Sequence, residues 1–173
     1  MFLACGMVVA QADERVVVGS KRFTESYILG EIVAQTARTT GVRAEHRPGL
    51  GNTAVVLEAL KAGSIDIYPE YLGTIEQEIL KLPTGSAPET IARELARLGL
   101  AHGVPLGFSN SYALATAEAL AGQRGLRRIS DLRAQPDLRI ALSQEFLGRA
   151  DGWPGLAARY GLPQRPSAID HGL

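Results

Sequence analysis

The chain has 173 residues, 46% of them hydrophobic, which is enough for one domain or for two small lobes with buried cores. Its 18 Lys and Arg residues balance its 18 Asp and Glu residues, so neither a nucleic-acid-binding surface nor an acidic disordered tail is indicated. No apolar run approaches the ~20 residues that a membrane-spanning helix needs.

The first twelve residues differ in composition from the rest of the chain. Residues 1–12 are apolar and uncharged and end in Ala10–Ala12 (AQA), an A-x-A cleavage pattern. We interpret them as part of a secretory signal without its basic n-region, which predicts a periplasmic or other extracytoplasmic protein; a disordered or buried terminus is the alternative. Cys5 is the only cysteine and can form neither an internal disulfide nor a metal site. Phe2–Cys5 faintly resembles a lipoprotein box, so a lipid anchor is a lesser alternative.

A strand, a helix and a second strand are predicted next. Val16–Val18, ended by Gly19, is typical of a buried parallel strand. Thr24 is predicted to cap the following helix, and Val42–Arg47 is predicted to form the second strand. Apolar residues at helical spacing predict the buried face of that helix: Ile28, Leu29, Ile32, Val33, Thr36 and Ala37.

The same alternation continues along the chain. Asn52 is predicted to cap a second helix that ends at Gly63, and Ile65–Tyr68 is predicted to form a third strand. Thr74–Lys81 and Pro88–Leu98 are predicted to be two further helices. The order β-α-β-α-β-α-α favours an α/β fold with a parallel sheet covered by helices.

Glycine and proline interrupt this pattern in His102–Ser109, which we interpret as a crossing between two lobes. A second α/β unit is then predicted, with strands Tyr112–Thr116 and Leu138–Ser143, a short helix capped by Ser130, and a helix at Trp153–Tyr160. The prediction is therefore lobe one at residues 13–107 and lobe two at residues 108–173. Only two clear strands are found in lobe two, so we expect a chain truncated within that lobe.

Five short blocks in a fixed order resemble the substrate-binding protein of osmoprotectant ABC transporters, the glycine betaine/carnitine/choline type. They are Gly19–Glu25, Gly49–Thr53, Asp66–Thr74, Asn110–Leu114 and Glu145–Gly152. The resemblance runs from about Val16 to Leu173. It implies a type II periplasmic-binding-protein fold, with two α/β lobes, a hinge and a ligand held in the cleft.

The resemblance also implies a cage for a quaternary ammonium group. Such a group has no N–H to donate, so aromatic faces must hold it, at ~0.5–2 kcal/mol for each ring. Tyr71 and Tyr112 match two tyrosines of the family's cage. The alternatives are a core tyrosine with a bonded hydroxyl at Tyr71 and an ordinary strand residue at Tyr112.

The carboxylate of a betaine requires cations and a hydroxyl. Lys21, Thr74 and Arg149 stand at the family's matching positions. Lys21 could instead be a solvated lysine, Thr74 a helix N-cap, and Arg149 half of an ion pair with Asp151 or Glu145. The same resemblance implies that two loop residues, Asn52 and Thr53, border the pocket.

We therefore expect a monomeric binding protein that passes a quaternary amine to an ABC permease in the membrane, with no cofactor, no nucleic acid and no chemistry of its own. His46, His102 and His171 lack metal-ligand spacing. An enzyme on the same fold is an alternative, although Ser20 and Ser143 lack a G-x-S-x-G elbow or a paired histidine. Two further alternatives are a ligand-sensing domain on the same fold and a non-functional truncated fragment.

Overall fold

The computed structural model describes residues 15–170, so the predicted signal segment at residues 1–12 and His171 lie outside the described part. Across residues 15–170, none of the helices combines the length and the apolar character needed to cross a bilayer. The chain divides into two compact units, Met1–Glu70 and Tyr71–Leu173. The predicted lobe boundary, between residues 107 and 108, lies at a different point and stays a prediction.

The first unit alternates strands and helices as predicted. Strand β1 spans Arg15–Gly19, helix α1 Thr24–Thr39, strand β2 Arg43–Arg47 and helix α2 Thr53–Lys61. The two strands are parallel, with Val17 opposite Glu45. Both strand predictions and the two helix predictions are therefore confirmed to within a few residues.

The third predicted strand is only a single bridge. Val18 pairs with Ile67 in parallel, and no longer ladder forms in the described chain. The Asp66 carboxylate accepts the N–H of Val17 at 2.7 Å, where a strand would offer a backbone carbonyl. The prediction of a full strand at Ile65–Tyr68 was wrong because this side chain and Pro69, which has no N–H, interrupt the ladder.

Small residues form the buried face of α1. Ser26, Gly30 and Ala34 are buried, whereas Ile28 and Ile32 are more than half exposed. The predicted stripe was wrong at Ile28, Ile32 and Thr36, whereas its other members, Leu29, Val33 and Ala37, are partly buried. The helix packs closely enough on β2 that a Cβ at position 30 would come within 2.5 Å of an imidazole nitrogen, so small residues take the most buried positions. The predicted N-cap was also wrong. Phe23 takes that position without a side-chain hydrogen bond, and Thr24 is already helical.

The second unit begins with a widened helix. Helix α3 spans Leu72–Thr74 and continues into a π-helical turn at Ile75–Ile79, in which Leu80 N donates to Ile75 O at 2.9 Å. Helix α4 follows at Pro88–Arg97. The predicted helix at Thr74–Lys81 is therefore present but starts earlier, so Thr74 is not an N-cap. Ile75, Ile91 and Leu95 form the core here.

The rest of the unit is built of short elements. In order they are helix α5 at Glu118–Arg124, a 3₁₀ turn at Ile129–Ala134, strand β3 at Ala141–Ser143, helix α6 at Gln144–Gly148, helix α7 at Trp153–Tyr160 and strand β4 at Ser167–Ile169. Strands β3 and β4 are parallel, with Ala141 opposite Ser167. Leu132, Phe146, Trp153 and Leu162 form their core.

Two predictions for this region were wrong. Tyr112–Thr116 is not a strand, since nothing in residues 15–170 pairs with it as one. Ser130 does not cap the short helix. Asp131 Oδ2 instead accepts the N–H groups of Arg127 and Arg128, each at 2.8 Å. Ser130 already lies inside the turn, and the Asp131 carboxylate binds back to the N–H groups of the two residues just before it.

Candidate functional site

Lys21, a predicted ligand residue, lies in the loop between β1 and α1. Its N–H donates to Ser26 Oγ at 2.8 Å, which ties the loop to the first turn of α1. Its ammonium donates to Glu70 Oε1 at 2.6 Å and to Thr53 Oγ1 at 3.4 Å. The side chains of Lys21 and Glu70 are 3% and 6% exposed, so this is a buried ion pair within the first unit. The solvated-lysine alternative was therefore wrong.

Glu70 was not predicted as a site residue. It binds the Lys21 ammonium, whereas the neighbouring Asp66 carboxylate binds the Val17 N–H. Burial, the charge of Glu70 and its hydrogen bond together raise the pKa of Tyr68, so the Tyr68 phenol stays neutral at physiological pH. The sequence signal that could have indicated Glu70 is its position beside Tyr71 in the Asp66–Thr74 block.

Asn52 and Thr53 stand at the start of α2. Asn52 Oδ1 accepts the N–H of Val55 at 3.2 Å, which confirms the predicted N-cap. Thr53 is buried, and its hydroxyl faces the Lys21 ammonium. The first unit thus brings Lys21 and Thr53 together, whereas the Asn52 side chain is engaged by its helix.

Arg149 and Thr74 meet in the second unit. The Arg149 guanidinium is buried and donates from Nε and Nη2 to the two oxygens of Asp151, at 2.9 and 2.7 Å. Its Nη1 donates to Thr74 Oγ1 at 3.1 Å and lies 3.7 Å from Glu145 Oε1. Two residues 75 positions apart in the sequence are therefore in contact, and the ion pair with Asp151 also forms.

The two hydrogen bonds between the Arg149 guanidinium and the Asp151 carboxylate determine the charge states of both groups. The hydrogen bond from Arg149 is the main reason that the pKa of Asp151 lies below its ordinary value, and the same bond raises the pKa of Arg149. Both groups are therefore charged at neutral pH. The guanidinium is neutralised by its own unit before any ligand arrives.

Asp151→Asn is expected to lower stability at pH 7 and to cost progressively less as the pH falls. A carboxyl with a lowered folded pKa stabilises the fold above its unfolded value, near 3.8, and this contribution is lost as the pH falls through the folded pKa. Urea unfolding midpoints of both proteins at pH 7 and near pH 3 measure the gap. A gap of constant size would contradict the assignment.

The predicted cage tyrosines also lie in the second unit. Tyr71 is the residue before α3, and its hydroxyl accepts a hydrogen bond from Asn110 Nδ2 at 3.3 Å. The Tyr112 ring is 57% exposed, and its centroid is 4.6 Å from that of Phe146 at a 44° tilt. Phe146 thus supports Tyr112 from one side. Sequence reasoning missed this support, because Phe146 lies 34 residues away, in a block singled out for Arg149.

Ser20 does have a histidine partner, contrary to the sequence-based inference. His46 Nε2 lies 2.9 Å from Ser20 Oγ, and His46 Nδ1 lies 3.2 Å from Glu31 Oε2. The spacing of these residues gave no hint, because β1, β2 and α1 bring them together only on folding. Ser20 is fully buried, so its hydroxyl is not accessible from the protein surface.

The seven predicted ligand residues are divided between the units. Three lie in the first unit (Lys21, Asn52 and Thr53) and four in the second (Tyr71, Thr74, Tyr112 and Arg149). Contacts join Lys21 to Thr53 and Thr74 to Arg149. Their roles toward a ligand stay predictions.

Residues 14–171 match the family described as the substrate binding domain of the ABC-type glycine betaine transport system. The match covers almost the whole chain, so the chain belongs to this family. The resemblance stated from the five sequence blocks is confirmed.

Curated relatives agree with this assignment. The chain is 30% identical over 174 residues to the glycine betaine-binding protein YehZ of Escherichia coli, covering 94% of this chain and 57% of the relative. It is 33% identical over 171 residues to a glycine-betaine-binding protein of Pseudomonas aeruginosa, covering 89% of this chain and 53% of the relative. The chain thus spans about half the length of the curated relatives it matches.

A solved structure supports the fold. The chain aligns with the crystal structure of a glycine betaine/carnitine/choline ABC transporter at a TM-score of 0.58 and 22% identity, covering 89% of this chain and 61% of the other. The predicted fold class, the α/β fold of periplasmic substrate-binding proteins, is confirmed by this likeness.

Proposed function

We propose that this chain is the ligand-holding part of an extracytoplasmic solute-binding protein. It captures glycine betaine, choline or a related quaternary amine and delivers it to an ABC importer in osmoprotection. The observation that carries the proposal is the exposed ring of Tyr112, supported by Phe146, in a chain that belongs to a glycine betaine transport family.

Aromatic faces suit the chemistry of this ligand. Association costs ~4–15 kcal/mol in lost freedom, so one ring at ~0.5–2 kcal/mol cannot suffice and several must act together. Tyr71 and Tyr112 are the proposed rings from this chain. The bond from Asn110 to the Tyr71 hydroxyl restricts the ring before a ligand binds, which lowers the cost of ordering it.

Lys21, Thr74 and Arg149 are proposed to hold the anionic or hydroxyl end of the ligand. Thr74 Oγ1 accepts from Arg149, so the threonine can still donate its own proton to a ligand oxygen. Asn52 and Thr53 are proposed to border the pocket. Because Lys21 and Arg149 are already neutralised by Glu70 and Asp151, a ligand with no net charge or with one positive charge meets no excess of cations.

The proposed protein is a monomer without a cofactor and carries out no reaction. Its proposed location is the periplasm or another extracytoplasmic compartment. A lipid-anchored form in the same compartment is the alternative within this proposal. Its proposed macromolecular partner is the membrane permease of the importer, and no nucleic acid takes part. The burial of Ser20 argues against the competing hypothesis of a hydrolase on the same fold.

Isothermal titration with glycine betaine and with choline tests the proposal. Tyr71→Ala is expected to weaken binding at least about tenfold, which corresponds to ~1.4 kcal/mol, whereas Tyr71→Phe keeps the ring and most of the affinity. Phe108→Ala is the matched control, since Phe108 is an exposed aromatic residue outside the proposed site. Absence of heat with both amines, or full affinity in Tyr71→Ala, would overturn the proposal.

A further inference from the structure

A chain of polar contacts runs from the surface of α1 to a buried loop of the first unit. Arg38 Nη1 and Gln35 Nε2 donate to Glu31 Oε1 at 3.0 and 3.1 Å. Glu31 Oε2 lies 3.2 Å from His46 Nδ1, and His46 Nε2 lies 2.9 Å from Ser20 Oγ. The Ser20 oxygen also accepts the N–H of Gly49 at 3.4 Å.

The donors and acceptors in this chain fix its direction. The Glu31 carboxylate can only accept, so His46 Nδ1 carries a proton and donates it there. In the neutral tautomer Nε2 then accepts from the Ser20 hydroxyl, whose oxygen also accepts the Gly49 N–H. Every polar atom of the imidazole thus has a defined partner.

Ser20 joins two loops through its backbone as well. Its N–H donates to Arg47 O at 3.2 Å, and its carbonyl accepts from Leu50 N at 3.0 Å. Arg22 N donates to Gly51 O at 2.9 Å, which extends the contact by another pair. The loop after β1 is therefore bonded along its length to the loop after β2.

The imidazole occupies a space that α1 leaves for it. A Cβ at Gly30 would lie 2.5 Å from His46 Nε2 and 3.1 Å from Cδ2, so any larger residue there would displace the ring. Ser20 is fully buried, and the His46 side chain is nearly so. A buried, sterically defined ring with two bonds of fixed direction sets the position of the loop beneath it.

We propose that His46 is a positioning residue of the ligand site. Through Ser20 it aligns the loop carrying Lys21 with the loop that ends in Asn52 and Thr53. This inference rests on the proposed function, because those three residues are proposed ligand contacts. His46 itself touches no ligand and performs no chemistry, since both Ser20 and its own ring are enclosed.

Two substitutions of His46 separate its two bonds. In His46→Gln the terminal amide reaches the place of Nε2 and can accept from Ser20, whereas in His46→Asn it reaches only the place of Nδ1, facing Glu31. We expect His46→Asn to weaken binding of glycine betaine and choline about tenfold, and His46→Gln to stay within about threefold of the parent. Adding Ser20→Ala to His46→Asn should cost less than the sum of the two single substitutions, because both remove the bond between Ser20 and His46.

Amide hydrogen exchange supplies a readout that needs no ligand. Faster exchange at Gly49, Leu50 and Arg22 is expected in His46→Asn and Ser20→Ala, and not in His46→Gln or in the control Gln35→Ala, which removes only an outer bond to Glu31. If the parent binds neither amine, the proposed function fails, and the exchange data still decide the role of His46. Equal affinity and equal exchange in the Asn and Gln variants would overturn the inference, as would faster exchange spread evenly over the whole unit.

Discussion

Lys21→Met is expected to lower the free energy of unfolding by about 3–5 kcal/mol, the usual cost of removing one partner from a buried ion pair. The Glu70 carboxylate would lose the ammonium 2.6 Å away while staying almost completely enclosed. Its charge would then have to be desolvated without that compensation, or the carboxyl would have to take up a proton. Urea denaturation followed by circular dichroism measures the change.

Two further variants identify the cause of this loss. Lys21→Met combined with Glu70→Gln removes both charges and should regain most of the stability, because the penalty arises from the remaining charge. Lys61→Met is the matched control. Its ion pair with Glu58 is exposed, at 40% and 68%, so it should change stability by less than about 1 kcal/mol. If the double variant were as unstable as the single one, lost packing of the lysine stem would be the cause instead.

Gly152→Ala is expected to destabilise the second unit by about 3 kcal/mol, at the upper end of the range for overpacking. A Cβ at this position would overlap the backbone carbonyl oxygen of Phe146 and lie 3.2 Å from Arg149 O. Backbone atoms cannot turn aside as a flexible side chain can, so the junction between α6 and α7 must shift. Thermal unfolding monitored by circular dichroism is the measurement.

A nearby glycine serves as the control for this substitution. Gly148 ends α6, and a Cβ there would meet nothing within 4 Å. Gly148→Ala should therefore be neutral or should stabilise the protein by up to about 1 kcal/mol, because alanine favours the helix. Equal unfolding midpoints for the two variants would show that the steric account of Gly152 is wrong.

Local signals predicted the elements that are stabilised locally. The β-branched run at Val16–Val18 gave β1, the side chain of Asn52 gave the start of α2, and Trp153–Tyr160 forms α7 as predicted. Errors arose where tertiary contacts decide the outcome. A side-chain carboxylate replaced a strand partner at Asp66, and Tyr112–Thr116 had no partner strand to pair with in the described chain.

The α1 face shows why periodicity alone was insufficient. The stripe that includes Ile28 and Ile32 has helical spacing, yet the helix buries Gly30 and Ala34 because close approach to β2 requires small residues. Hydrophobicity indicated which residues would be favourable to bury. The available space, which depends on the His46 ring, decided which residues were buried.

The candidate site, like the fold, could be predicted only in part from the sequence. The sequence blocks indicated Lys21, Thr74 and Arg149 by resemblance, and Thr74 and Arg149 are in contact, while their roles toward a ligand stay predictions. The blocks did not reveal the buried carboxylate at Glu70 as the partner of Lys21, although the ion pair of Arg149 with Asp151 had been considered. Ion-pair partners follow from burial and distance, which a linear motif does not contain.

The pairing of Lys21 and Arg149 with carboxylates of their own units affects how these side chains respond to high salt concentration. At 1 M salt the Debye length is ~3 Å, so attractions between exposed charges over longer distances are largely screened. Lys21 and Arg149 contact their carboxylates at 2.6 and 2.7 Å, and both cations are buried, so dissolved ions have little access to either cation. The proposed ligand contacts of Lys21 and Arg149 are therefore expected to keep their positions at high salt concentration.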